Sequence, residues 1–392
     1  MKDPINARLV RRLAPLYVAA FFHAFVLWYA IEKLFMRSIG FDDAGISLMV
    51  AAYSALMLIA ETPSGIMADR WSRKGTLMVA SVLLSIASLI CGLASEPVLY
   101  IVGALAWGTF FSMYSGTYDS IIYDTVKEET GSGDLYEKYF GRFRFIDSLG
   151  LISGALVGGA CAALFGLEWT FLLSVPLGIG SLIALWLFKE PKLHKEGQHD
   201  SVVAHVRETF RLVLGQPVLL PLVGLIVAVI LALVMVYEFN QLWLIALNTP
   251  PAWFGVAVSI TMAASGVAGY VVSKAKNKKL VKLWLHAGLL LSALALTVVP
   301  HIAFASAALF TFAFTGVCLN ILAMRDLHDV LPSRVRAGAS SSLSSLARIF
   351  VIPVSLLFGT ISATVNVFTA AWVLVVLAVL IFVLESLRPK VA

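Results

Sequence analysis

Apolar runs of about 20 residues follow one another along almost the whole chain, and no other feature limits its fold so strongly. Each run is long enough to cross a bilayer core about 30 Å thick at 1.5 Å rise per residue. Hydrophobic residues fill 60% of the 392 positions and charged residues only 13%, against roughly 25% charged in a soluble globular domain. That balance excludes a water-soluble fold, and the chain reads as an all-α polytopic membrane protein. The first run, from Leu13, contains His23, Glu32 and Lys33. It lacks a small-residue cleavage site, so a retained helix is expected and not a signal peptide.

Glycine, proline and charge clusters divide the runs into twelve expected spans. Their cores lie near 13–36, 43–67, 75–95, 97–124, 140–165 and 168–188, then 218–247, 252–274, 281–299, 302–328, 336–362 and 366–387. Residues 1–188 are thus expected to form one six-helix bundle, 189–217 a polar central loop, and 218–392 a second six-helix bundle. Within the loop, "SVVAHVRETFRLVLG" at 201–215 has helical periodicity; an amphipathic helix on the membrane surface and a solvated linker helix both fit it. Cys91, Cys161 and Cys318 fall in three different runs without metal-type spacing, and read as small buried hydrophobes. No cofactor or metal is expected. If the N-terminus is cytoplasmic, all of the 29 Lys and Arg except Lys33 and Arg37 lie on the inner side, which predicts cytoplasmic N- and C-termini. The net charge of +6 then reflects contact with an anionic leaflet and not with nucleic acid.

One short loop concentrates charge: "PSGIMADRWSRKG", Pro63 to Gly75, between spans 2 and 3. Asp69 can accept charged hydrogen bonds from neighbouring helices, while Arg70, Arg73 and Lys74 can meet acids or helix C-termini. Such bonds contribute about 1–3 kcal/mol each. Topology alone explains the bases but not Asp69. The run Gly65, Ile66, Met67, Ala68, Asp69, Arg70, Trp71, Ser72, Arg73, Lys74 resembles the signature loop G-x-L-A-D-R-x-G-R-K of the major facilitator superfamily, with Ser72 in place of its second glycine. The resemblance covers the whole chain. It implies two pseudo-symmetric six-helix bundles rocking about a central site, with the loop acting in a cytoplasmic gate. A degenerate copy follows span 8 as "GYVVSKAKNKK", Gly269 to Lys279, where Ser273 stands for Asp69.

Ionisable side chains inside spans are costly and by default line a cavity. Glu32 lies 33 residues before Gly65 and Glu238 lies 31 before Gly269, so the two acids are expected in nearly equivalent places in spans 1 and 7. Their settings, "WYAIEKLF" and "MVYEFNQLW", place Tyr29 and Tyr237 ahead of the acids and add Asn240 and Gln241. Snorkelling beside Lys33 or Arg37 is the alternative for Glu32. In span 4, Asp124 is expected in the gate. Asp119 is either a proton or substrate carboxylate or a partner for Arg142 or Arg144. The arginine that proton-coupled members of the superfamily often carry in span 4 is absent, with Ser112 and Gly116 in that region. In span 5, Gly150, Gly154, Gly158 and Gly159 resemble the antiporter signature of drug:proton exporters, with Ala155 in place of its proline; close helix packing explains them equally. Asp147 is expected to pair with Arg348 of span 11. In span 10, Arg325, Asp326, His328 and Asp329 are expected in gate pairs, Asp329 matching Asp124. His23 reads as a hydrogen-bonded packing residue or a proton relay.

An enzyme would need a clustered nucleophile or metal set, and no such cluster is present in the sequence; nor is a nucleotide-phosphate loop. The expectation is a monomeric secondary transporter of a bacterial inner membrane that works by alternating access. Its partners would be the lipid bilayer, protons and a small-molecule substrate. Acidic, aromatic and amide-bearing candidates favour proton-coupled export of a neutral or cationic amphiphile; uptake by symport and export of a siderophore or other metabolite stay open.

Overall fold

The computed structural model describes residues 4–114, 116–192, 215, 217–274, 278–331 and 336–388. The regular structure among these residues is entirely helical. Ten helices are long and apolar enough to cross a membrane, and Leu280–Ala295 is a shorter apolar one. Together with the first segment they fill the twelve expected places. The candidate surface helix at 201–215 lies almost wholly outside the described residues.

The backbone forms two compact units. Unit 1 takes in Met1–Gly40, Leu56–His199 and Pro250–Ser259, and unit 2 takes in Phe41–Ala55, Asp200–Thr249 and Ile260–Ala392. The first half of the chain supplies α1 (Pro4–Ala24), α2 (Glu32–Ser38), α3 (Asp43–Arg70), α4 (Arg73–Gly92) and α5 (Pro97–Tyr114). After these come α6 (Thr117–Thr130), α7 (Tyr136–Phe165), α8 (Leu167–Leu172) and α9 (Val175–Leu187). The second half supplies α10 (Leu220–Ala246), α11 (Pro251–Lys274), α12 (Lys278–Ala295) and α13 (Ile302–Val330). It ends with α14 (Arg336–Thr364), α15 (Val367–Ala370) and α16 (Trp372–Ser386).

Four expected spans are not single helices; span 6 divides into α8 and α9, and span 12 into α15 and α16. Hydropathy predicts one helix over 13–36, yet α1 ends at Ala24, residues 25–31 are non-helical, and α2 begins at Glu32. Span 4 likewise divides into α5 and α6 around Gly116, whose φ of +80° is left-handed and suits glycine. A hydropathy window cannot see such breaks, because it averages over about 19 residues that remain mostly apolar.

The break in span 1 stands on α7. Backbone groups that leave a helix within a bilayer need partners in the protein. Gly154 lies so near the Val26 carbonyl oxygen that a Cβ there would approach it to 2.8 Å, and a Cβ at Gly158 would overlap the Leu27 carbonyl oxygen. Glycine Cα–H groups face these oxygens instead, each a weak hydrogen bond of about 0.5–1 kcal/mol. The Leu27 N–H donates to Ser174 Oγ at 3.0 Å, at the junction of α8 and α9. Packing thus accounts for the glycine run of span 5. Gly159 serves another contact: a Cβ there would meet the Gly255 nitrogen at 2.7 Å.

Unit 2 is built differently at the matching place. Its α10 runs unbroken for 27 residues and is buried along most of its length. The Trp243 indole N–H donates to the Leu296 carbonyl at 2.9 Å. At the Asp43 end of α3, Gly359 of α14 packs directly on Ser47, and Ser362 donates to the buried Asp43 carboxylate.

Gly158→Ala should lower the stability of the detergent-purified protein by about 1–3 kcal/mol, the usual cost of overpacking. Gly141→Ala, on the same helix with nothing within 4 Å of the new methyl, should leave it unchanged or raise it by up to about 1 kcal/mol. Thermal unfolding of the two variants checks the contrast.

Candidate functional site

The charged loop is fastened within unit 1. Ser72, extended at φ −172°, accepts the Gly75 N–H at 2.7 Å and caps α4. Arg73 follows as the first helical residue. Its guanidinium pairs with Asp124 of α6, donates to the Ser120 carbonyl at 3.1 Å, and reaches Asp69 at 3.4 Å. Asp124 and Arg73 are largely buried, at 14% and 15% side-chain exposure, whereas Asp69 is 41% exposed. The principal pair is therefore Arg73–Asp124, with Asp69 at its rim. Lys74 donates to the Trp186 and Phe188 carbonyls at 2.9 and 2.7 Å, at the end of α9. Glu190 accepts the Ser72 hydroxyl at 2.7 Å and the Lys74 N–H at 3.0 Å. Arg70 is exposed and Gly65 half-buried with open space around it. Arg144 is exposed and lies over the Phe140 ring at 5.1 Å. The other base named for Asp119, Arg142, lies over Tyr139 at 5.2 Å, and Asp119 accepts from Tyr136 instead.

Unit 2 carries a matching cluster. Lys282 in the first turns of α12 bridges Asp326 of α13 at 2.9 Å and Glu385 of α16 at 3.0 Å. Arg388 meets the same two acids at 2.8 Å each. Burial opposes the charge of Arg388, but its bonds to Asp326 and Glu385 outweigh that and push its pKa up. Asp326 takes the place expected for Asp329, which is 68% exposed and, among the described residues, reaches Arg325 at 4.0 Å on its own helix. Asp329 lies a turn further toward the helix end, where solvent competes. Ser273 bonds its own helix at the Tyr270 carbonyl, so unit 2 places no acid at the position of Asp69 and uses Glu385 from the last helix.

The break in span 1 gathers a second set of polar groups. Glu32 opens α2, where the helix dipole favours an anion, and its oxygens accept from Lys33 Nζ at 2.7 Å and the Tyr100 hydroxyl at 2.8 Å. Lys33 is buried, so the pair is enclosed and not snorkelled. One turn before the break, His23 is fully enclosed. Ser81 gives its proton to the Leu77 carbonyl at 3.0 Å and so accepts from His23 Nε2 at 2.8 Å. Nδ1 then receives the Tyr118 hydroxyl at 2.9 Å, which fixes a neutral imidazole protonated at Nε2. Tyr114 donates to Asp147 of α7, which meets that acid's need for a partner inside unit 1. Arg348, expected to pair with it, is half-buried on α14 in unit 2.

In unit 2, Tyr237 shares a hydrogen bond with Ser265 at 2.8 Å. Asn240 is buried and donates to the Tyr237 carbonyl at 3.0 Å, while its Oδ1 has no partner among the described residues. Gln241 is buried; Glu238 and Tyr29 are half-buried. Glu32 and Glu238 do not occupy equivalent backbone: one begins a short helix after a break, the other lies within continuous α10. Among the described residues no group of three His, Cys, Asp or Glu could hold a metal ion.

A family profile described as Major Facilitator Superfamily matches residues 13–352. The chain belongs to this superfamily. Its superfamily fold is also that of solved transporters: a mutant form of the nucleoside transporter NupG aligns over 95% of this chain and 98% of its own at a TM-score of 0.77 and 14% identity. A D-xylose-proton symporter aligns over 98% of both chains at 0.72 and 14%. In sequence, the chain is 30% identical over 133 residues to "MFS-type efflux transporter ffsH" of Aspergillus flavipes, 34% of this chain and 22% of that one. The chain thus matches less than a third of the length of its curated relatives. As a superfamily member with ten helices long and apolar enough to cross a membrane, it is an integral membrane protein of a transporter family.

Sequence reading missed Tyr100, Glu190, Lys282, Glu385 and Arg388. The signal for four of them was a charge at or just past the edge of an expected span, on the same side as the signature loop. Arg73→Gln and Asp124→Asn should couple by about 1–3 kcal/mol in a double-mutant unfolding cycle, as a part-buried charged pair does. The exposed Arg325–Asp329 pair should couple by less than about 0.5 kcal/mol.

Proposed function

We propose that this superfamily member is a proton-coupled secondary transporter that exports a neutral or cationic amphiphilic molecule by alternating access, as a drug:proton antiporter does. In this reading the signature loop and the termini are cytoplasmic. The Arg73–Asp124 and Lys282–Asp326 clusters steady one end of each unit. The observation that carries proton coupling is Asp147, an intramembrane acid whose bonded partner is the neutral hydroxyl of Tyr114. Tyrosine can donate to the carboxylate or accept from the carboxylic acid, so the bond survives either charge state. Glu238, about two-thirds of the way along α10, is the second candidate. The efflux name of the fungal relative supports the direction.

Proteoliposomes with an imposed pH gradient and a panel of fluorescent cations test the reading. Asp147→Asn and Glu238→Gln should each abolish pH-driven exchange, and retention of the full pH dependence in both variants would remove coupling from these acids. Asp69→Asn should slow turnover about tenfold, equal to roughly 1.4 kcal/mol of bias between states, with substrate affinity nearly intact. A large loss of affinity at normal turnover would contradict its gating role.

A further inference from the structure

The break in span 1 also builds a small pocket inside unit 1. Its walls include Trp28, Glu32, Cys91, Tyr100, Trp107 and Phe171. Trp28 lies parallel to Phe171 with ring centroids 5.3 Å apart, and Trp107 meets Trp28 edge-on at 4.6 Å. The space between them has room for about one water-sized group. Two of the residues that line this chamber have polar capacity unused. Trp28 is only 3% exposed, and its indole N–H is buried with no hydrogen-bond partner among the described residues. Glu32 receives one donor on each oxygen, from Tyr100 and Lys33, while a carboxylate can accept about four.

We propose that this pocket binds one hydroxyl group, which accepts from the Trp28 indole N–H and donates to the Glu32 carboxylate. The chemistry selects the class. An ammonium donates but cannot accept from the indole, and a carbonyl or ether oxygen accepts but cannot donate to the acid. A hydroxyl does both, and the aromatic walls suit the carbon that bears it. Water and the hydroxyl of a solute supply the same group. The site lies within one unit and is independent of the direction and coupling of transport.

Protein carrying ¹⁵N-indole tryptophan in lipid nanodiscs tests this. Trp28→Phe identifies the Trp28 indole signal by its loss, and Tyr100→Phe, which shifts the signal from the same pocket, identifies it independently. Without solute, the Trp28 indole proton should show direct magnetisation transfer from a long-lived water. Methanol and dimethyl ether, the smallest alcohol and ether, are then added in parallel. Water contact that persists with both supports the proposal with water as the occupant. Replacement of that contact by methanol but not by the ether supports it with a solute hydroxyl as the occupant. Equal displacement by the ether overturns it, because donation to Glu32 is then not required. Absence of contact with water and with either solute overturns it as well.

Discussion

The carbonyl oxygens of Val26 and Leu27, laid against the glycine face of α7, are the contacts on which the polar interior of unit 1 rests. A helix break inside a bilayer leaves backbone groups that lipid cannot satisfy. Here the break is tolerated because Gly154 and Gly158 admit the carbonyls, and Ser174 accepts the Leu27 N–H. The placement of Glu32 depends on that tolerance. The chain turns, α2 begins afresh, and the acid arrives at a helix N-terminus beside the Tyr100 hydroxyl. A continuous helix would have carried it round a regular 3.6-residue turn and away from this arrangement.

The two units keep one element of their repeat and lose another. Both fix a base at the start of a helix against an acid on the following long segment, Arg73 with Asp124 and Lys282 with Asp326. The acid of the signature motif, Asp69, stands at the edge of the unit 1 cluster, longer in distance and more exposed than Asp124. That explains how unit 2 holds its cluster with a serine at position 273. Glu385 supplies a second acid from the other side, and Arg388 closes a four-residue network. The broken span, by contrast, is found in α1 and α2 but not in α10.

Hydropathy alone carried the twelve segments, because bilayer thickness fixes span length and nearly every loop here is short or charged. The signature loop was legible for the same reason: charges are rare enough in this chain for one cluster to stand out. Register was not. Counting back from glycines places a residue within about a turn, which is too coarse to choose Asp326 over Asp329 or to see that Glu32 and Glu238 differ in backbone. The glycine run of α7 was visible as a close-packing surface, but its partner was a non-helical stretch of apolar residues that leaves no mark in a hydropathy profile. Adjacency of Glu32 and Lys33 was plain in the sequence. Only the structure distinguishes an enclosed pair from a snorkelling one.

That distinction bears on which acid can change charge. Removing the charge of Glu32 would weaken its enclosed pair with the buried Lys33 ammonium. Asp147 has no such dependent: its bonded partner is a hydroxyl that serves either form. Nor can His23 act readily as a carrier, since both ring nitrogens are engaged by neutral groups and a proton on Nδ1 would require Tyr118 to reverse or leave. The enclosed Glu32–Lys33 pair and the neutral His23 therefore hold the shape of the break, while the capacity to gain and lose a proton at low structural cost falls to Asp147 on α7, the helix whose glycines support that break.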